Sequence, residues 1–122
     1  MSCVIGGFRA PFELSALTTE ARVVANVSGL VAGEVERLSR VMAELGANAL
    51  RHGGGSGRVL VLVDLEFWAV KVEDDGPGFP EAVLRHPPAD SALAQVRELC
   101  TRLECTNLPL GGARVVATRV FS

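Results

Sequence analysis

Cysteine is scarce and has no partner pattern in this chain. The three cysteines, Cys3, Cys100 and Cys105, are an odd number and include no C-x-x-C pair. That argues against a metal or redox motif and is read as buried free thiols in a reducing, cytoplasmic compartment. A basic surplus is missing too. The net charge is -2 and the isoelectric point about 5.7, so there is no electrostatic footprint for nucleic acid. No apolar run approaches the roughly 20 residues of a membrane helix, and no membrane partner is expected. The opening residues Met1–Arg9 lack the basic stretch followed by a long apolar stretch that marks a signal peptide. Internal repeats and long linkers are also missing. What is present is 48% apolar content across 122 residues, interleaved with charge throughout, which suits one domain over residues 1–122 with one core.

Hydrophobic periodicity then divides the chain. Residues 3–9 read as a short strand interrupted by Gly6-Gly7. Leu14, Leu17, Ala21, Val24 and Val27 recur at three- and four-residue steps, so 13–28 reads as an amphipathic helix. Val35, Leu38, Val41, Met42, Leu45 and Ala49 make the stripe of a second helix over 33–52. The glycine cluster at 53–57 stops it. Residues 58–64 and 67–74 are β-branched and apolar and read as two strands. The short Asp64-Leu65-Glu66 join makes them a hairpin, with one long bent strand as the alternative. A third main helix spans 90–103, with Leu93, Val96, Leu99, Cys100 and Leu103 inward and Asp90 or Ser91 as N-cap. Strands over 104–108 and 113–121 finish the chain. This order predicts an α+β two-layer sandwich, a mixed, mostly antiparallel sheet with about three helices on one face.

Two places carry chemistry. Glu44, Asn48, Arg51 and His52 stand at i, i+4, i+7 and i+8, which lines a carboxylate, an amide, a cation and an imidazole along one helix edge. The amide oxygen is a hard ligand that magnesium accepts, and the carboxylate can take a proton from an attacking hydroxyl. The same spacing also describes a solvated edge whose C-terminal cation favours the helix dipole. Asp74 continues the face of Val70 and Val72, where a carboxylate is costly unless it accepts hydrogen bonds. An adenine 6-amino group is one donor that would satisfy it. Gly76 and Gly78 allow the backbone to turn sharply and approach a flat base. An ordinary surface turn of the D-G-P-G kind is the plainer alternative. Trp68 alternates with Val70 and reads as core, and His86 beside Pro87-Pro88 reads as a solvated loop residue.

Together and in this order, the two places resemble a known family. Glu44-Leu45-Gly46-Ala47-Asn48-Ala49-Leu50-Arg51-His52-Gly53 looks like the N-box of the GHKL ATPases, the Bergerat-fold, histidine-kinase-like superfamily. Val72-Glu73-Asp74-Asp75-Gly76-Pro77-Gly78-Phe79-Pro80 looks like their G1 box. Within it, Ala21-Arg22-Val23-Val24-Ala25-Asn26 and the short glycine-rich stretch after the N-box are similar to the anti-sigma and switch serine kinases of bacterial partner-switching pathways. The likeness covers most of the chain and is strongest over residues 21–80. It implies that Glu44 is the base that activates a protein serine and that Asn48 holds Mg²⁺ against the phosphates of ATP or ADP. It implies that Arg51 lies near the phosphates, that Asp74 binds the adenine amino group, and that Gly76 and Gly78 shape the base pocket. The implied partner is an anti-sigma-antagonist protein of the STAS type or a sigma factor, and a homodimer is one implied assembly.

The likeness breaks after Gly78. The family's glycine-rich ATP lid should follow, yet no glycine occurs between Gly78 and Gly111, and the lid region, about 80–92, is short. A capping Asp90 or Ser91 would consume helix N-terminal donors that otherwise meet phosphate. Asp90 would also set a negative charge near the phosphates, at a cost of about 1–3 kcal/mol. Ala113 stands where the family usually has a threonine hydroxyl. Two functions follow. One is an ATP-dependent serine kinase. The other is a lid-less pseudokinase that regulates by docking a partner without nucleotide turnover.

Overall fold

Alternation along the strands and the stripes along the helices converge on one apolar interface. The computed structural model describes residues 1–89 and 91–121. Strand β1 (Ser2–Phe8) leads into helices α1 (Pro11–Val27) and α2 (Ala32–His52). Strands β2 (Gly57–Val63) and β3 (Phe67–Asp74) follow, then α3 (Glu81–Arg85), α4 (Ala92–Leu99), β4 (Arg102–Asn107) and β5 (Ala113–Val120). The sheet runs β1-β2-β3-β5-β4, and all its neighbouring pairs are antiparallel. The expected two-layer sandwich is therefore found, with antiparallel pairing in place of a mixed sheet. Asp64 N–H donates to Phe67 O at 2.9 Å, which closes the β2–β3 hairpin and excludes a single bent strand. No helix among the described residues is long and apolar enough to cross a membrane.

The register stacks like against like. Val61 faces Val70, and Val70 faces Ala117. These residues, with Val59, Val63, Val72 and Val115, present one apolar face to the helices. The predicted stripe of α2 is buried at each of its six positions. Close approach of α1 depends on Gly46, since a Cβ there would come within 2.5 Å of Leu14. Pro11 opens α1, where its missing N–H is no loss.

Three expectations need correction. Val27 is 82% exposed and Ala25 is buried instead, because the inner stripe runs through Leu14, Ala21 and Ala25, whose seven- and four-residue steps keep to one face of a helix of 3.6 residues per turn. Helix α4 ends at Leu99 rather than at 103, and Leu103 lies in β4. Thr101 N–H donates to Thr118 O at 2.8 Å, so the edge of β5 captures the chain before another helical turn forms. Finally, the cysteines are free but not core residues: Cys3 is exposed, and Cys100 and Cys105 are half-buried. Burial pushes the Cys100 and Cys105 thiols up, against nearby Arg97. Ser91 caps α4 by accepting from Ala94 N–H; Asp90, the other candidate cap, lies outside the described residues.

At the start of α2 the edge of the core holds a half-buried ion pair. Trp68 is fully buried, and its indole N–H donates to Glu34 at 3.0 Å. Arg119 donates to both oxygens of the same carboxylate, at 3.1 Å each for its closest contacts. Burial pushes the Glu34 carboxyl up, but the bonds from Arg119 and Trp68 and the charges of Arg119 and Arg37 outweigh it and hold it below the usual range. A depressed folded value means that this stability is present above the unfolded glutamate pKa and is lost as pH falls through the folded one. We predict that Glu34→Ala costs about 2–4 kcal/mol in urea unfolding at neutral pH. The stability gap between the native chain and Glu34→Gln should shrink as pH falls below about 4.

Candidate nucleotide site

Asp74 ends β3 on the inner face that Val70 and Val72 occupy, and only 8% of it is exposed. Its Oδ1 accepts from Gly76 N–H at 3.0 Å and from Ala113 N–H at 3.3 Å. Among the described residues no donor reaches Oδ2. No described side-chain oxygen is fully buried without a partner, so Oδ2, packed beside Gly53, keeps some exposed surface, and Asp74 lines a cavity of about 610 Å³. Asn48 and His52, from the last two turns of α2, line it together with Ser91. The rest of the wall is largely apolar, with Pro77, Phe79, Val83, Leu93 and Ala113. A concave apolar site with few convergent polar groups is what binds a small flat ligand.

The acceptor pattern selects the base. Both lone pairs of Oδ1 are engaged, so the carboxylate offers one free oxygen. A single amino donor, such as that of adenine, suits it. Guanine would present two adjacent donors to a carboxylate with only one oxygen open. Mg²⁺ fits less fully. No group of three or more His, Cys, Asp or Glu side chains suited to a metal occurs among the described residues. Asn48 would hold Mg²⁺ only jointly with phosphate oxygens and water, which is how this ion is usually bound.

Close backbone contacts position the carboxylate. A Cβ on Gly53 would come within 2.5 Å of Asp74 Oδ2, so only glycine at the end of α2 leaves room for that oxygen. Gly78 takes a φ of +83°, which favours glycine, and it lies against Asn107. The Asn107 side chain accepts from Phe79 N–H at 2.7 Å and donates to Phe79 O at 2.9 Å. The end of β4 thus pins the wall of the cavity where α3 departs.

The structure divides the residues singled out in the sequence. Asn48, Asp74 and Gly78 meet in the one cavity, joined by His52. Glu44 and Arg51 line a separate groove of about 490 Å³, with Pro11, Leu14 and Leu50. Seven residues is close to two helical turns, so Glu44 and Arg51 stack on one side of α2, while Asn48 and His52 turn toward β3. Gly76 packs against Gly53, where an added Cβ would lie 2.6 Å from the Gly53 Cα. Its role is to seat the loop on α2. Ala113 contributes through its main chain: its N–H reaches Asp74 although its side chain has no donor. Asn107 and Phe79 carried no sequence signal as a pair, being 28 residues apart.

Loss of the Asn107 clamp should loosen this wall locally. In Asn107→Ala, amide exchange at Phe79 should accelerate about tenfold, with a stability loss of only about 1 kcal/mol. ADP affinity should fall about 3–10-fold. Asn107→Asp, which keeps the acceptor and loses the donor, should fall between. Unchanged exchange at Phe79 in hydrogen–deuterium measurements would remove the clamp from the account.

Known proteins share this fold and parts of this sequence. The solved structure of the mycobacterial sensor histidine kinase MprB superposes with a TM-score of 0.55 at 18% identity, over 97% of this chain and 100% of that one. The histidine kinase domain of the E. coli osmosensor EnvZ gives 0.55 at 20% identity, over 97% and 88%. These likenesses are of fold. In sequence, the histidine-protein kinase AfsQ2 of Streptomyces coelicolor is 46% identical over 50 residues, 41% of this chain and 9% of that protein. The sensor protein CseC of the same species is 44% identical over 59 residues, 48% of this chain and 11% of that protein. The matched region is thus about a tenth of the length of these relatives, which carry sensor or histidine-kinase names rather than those of serine kinases. Residues 33–118 match the family described as histidine kinase-, DNA gyrase B-, and HSP90-like ATPase. The chain belongs to that ATPase family, the GHKL superfamily, as its N-box and G1 box imply.

Proposed function

We propose that the chain is an adenine-nucleotide-binding regulator of the switch-kinase kind, which works by docking a partner protein. Asp74, with no described donor on its Oδ2 and lining an apolar cavity that Asn48 also lines, is the observation that carries nucleotide binding. The regulatory half rests on the likeness of Ala21–Asn26 and the N-box to partner-switching kinases. It is supported by large apolar side chains left in solvent along α1 and its exit: Phe12 at 75%, Val23 at 57%, Val27 at 82% and Val31 at 70% exposure. Large apolar side chains left exposed along one helix favour a protein partner. A STAS-type antagonist or a sigma factor is the partner class this reading names.

A second reading keeps phosphoryl transfer. Glu44 lines a solvent-open groove beside Arg51, one helical turn from Asn48 of the nucleotide cavity, and its carboxylate would hold the proton of a partner's serine hydroxyl. Mg-ATP supplies the phosphoryl group when bound. Transfer of labelled phosphate to a STAS-type partner, lost in Glu44→Ala, would select this reading over docking alone.

The direct test of the main reading is thermal. A hundredfold excess of ADP over its Kd should stabilise the native chain by about 2.7 kcal/mol, a rise of several degrees in Tm. Asp74→Asn should abolish that rise. A shift that persists in the mutant would place the nucleotide elsewhere.

A further inference from the structure

Resting on the nucleotide reading above, a further property follows from which atoms face the cavity. Phosphate is held in proteins by cations and by inward-pointing backbone N–H groups. Cations are poorly provided here, with His52 the one basic side chain among the described lining residues. None of the described residues lining the cavity is a lysine or arginine. Arg51 lines the other groove, and Arg85 is paired with Glu81 on α3. Three wall residues, Pro77, Pro80 and Pro88, have no N–H to give. At the start of α4, the Ser91 hydroxyl accepts from Ala94 N–H at 3.2 Å and donates to Pro88 O at 2.6 Å. That hydroxyl already occupies one helix-terminal donor and spends its own proton. The base end is provided for in the opposite way: Asp74, with no donor on its Oδ2 among the described residues, lines the cavity together with Phe79, Val83 and Leu93.

We propose that this cavity grips an adenine nucleoside through its base and leaves the phosphate chain in solvent. Its ligand class is therefore the adenosine moiety, whatever the number of phosphates attached. The protein senses adenine-nucleoside concentration and does not distinguish ATP from ADP. Such a site suits a docking regulator better than an enzyme, since nothing aligns the terminal phosphate.

The test is calorimetric titration of the 122-residue chain with adenosine, AMP, ADP and ATP, each with and without Mg²⁺. The four Kd values should agree within about threefold, because no charge-assisted phosphate bond separates them. Added Mg²⁺ should change none of them beyond that margin, and Asp74→Asn should weaken all four by the same factor. Mg-ATP or Mg-ADP binding more than about tenfold tighter than adenosine would overturn the inference while leaving nucleotide binding intact. So would an Asp74→Asn variant that loses adenosine and keeps ATP. Failure of all four ligands to bind the native chain would overturn the nucleotide reading itself.

Discussion

The carboxylate of Asp74 is the constraint on which the rest of the site depends. A charge at 8% exposure survives only if its oxygens are satisfied. Two main-chain donors, from Gly76 and Ala113, satisfy one of them. To supply these donors, the loop after β3 must fold back onto its own strand end, and β5 must begin beside it. To leave the second oxygen free, α2 must end in Gly53, whose missing side chain vacates the space that Oδ2 fills. Three separate elements are thus fitted around one acidic group, which is more organisation than a surface turn requires.

Helix α2 connects this site to the rest of the core. Its first turn carries Glu34, held by Trp68 and Arg119, and its last turns carry Asn48 and His52. Glu34 and His52 are about 27 Å apart along the helix axis. One apolar stripe joins them, and the helix is seated by a half-buried ion pair at one end and by close glycine contacts at the other. The Glu34 cluster explains why a tryptophan with a polar N–H sits wholly inside a core: its donor has an ionised acceptor within reach.

Much of this was legible in the sequence because period and chemistry coincide there. The stripe of α2, the strands on either side of residues 64–66 and the inward placement of Asp74 follow from spacings of 3.6 and 2. The N-box and G1 box pointed to the family that residues 33–118 match. Other features were not legible, for stated physical reasons. Leu99, Cys100 and Leu103 fit helical spacing, yet the unpaired edge of β5 drew Leu103 into a strand. Periodicity placed Glu44 and Asn48 on one edge, but a helix edge borders two grooves, and only tertiary packing assigns each residue to one. Side-chain reasoning gave Ala113 nothing to contribute, since main-chain donors are not visible in residue type. The Glu34–Arg119 pair joins residues 85 apart and leaves no local trace.

Base recognition at this site rests on a single acceptor atom meeting an exocyclic amine. The most direct measurement is an NMR titration of the labelled chain, following the amide signals of Gly76 and Ala113, whose N–H groups share the Asp74 carboxylate. Adenosine should move both signals saturably, together with those of Phe79 and Leu93, and guanosine at the same concentration should leave them in place. Guanosine shifting them as strongly as adenosine, or adenosine moving only signals remote from Asp74, would contradict it.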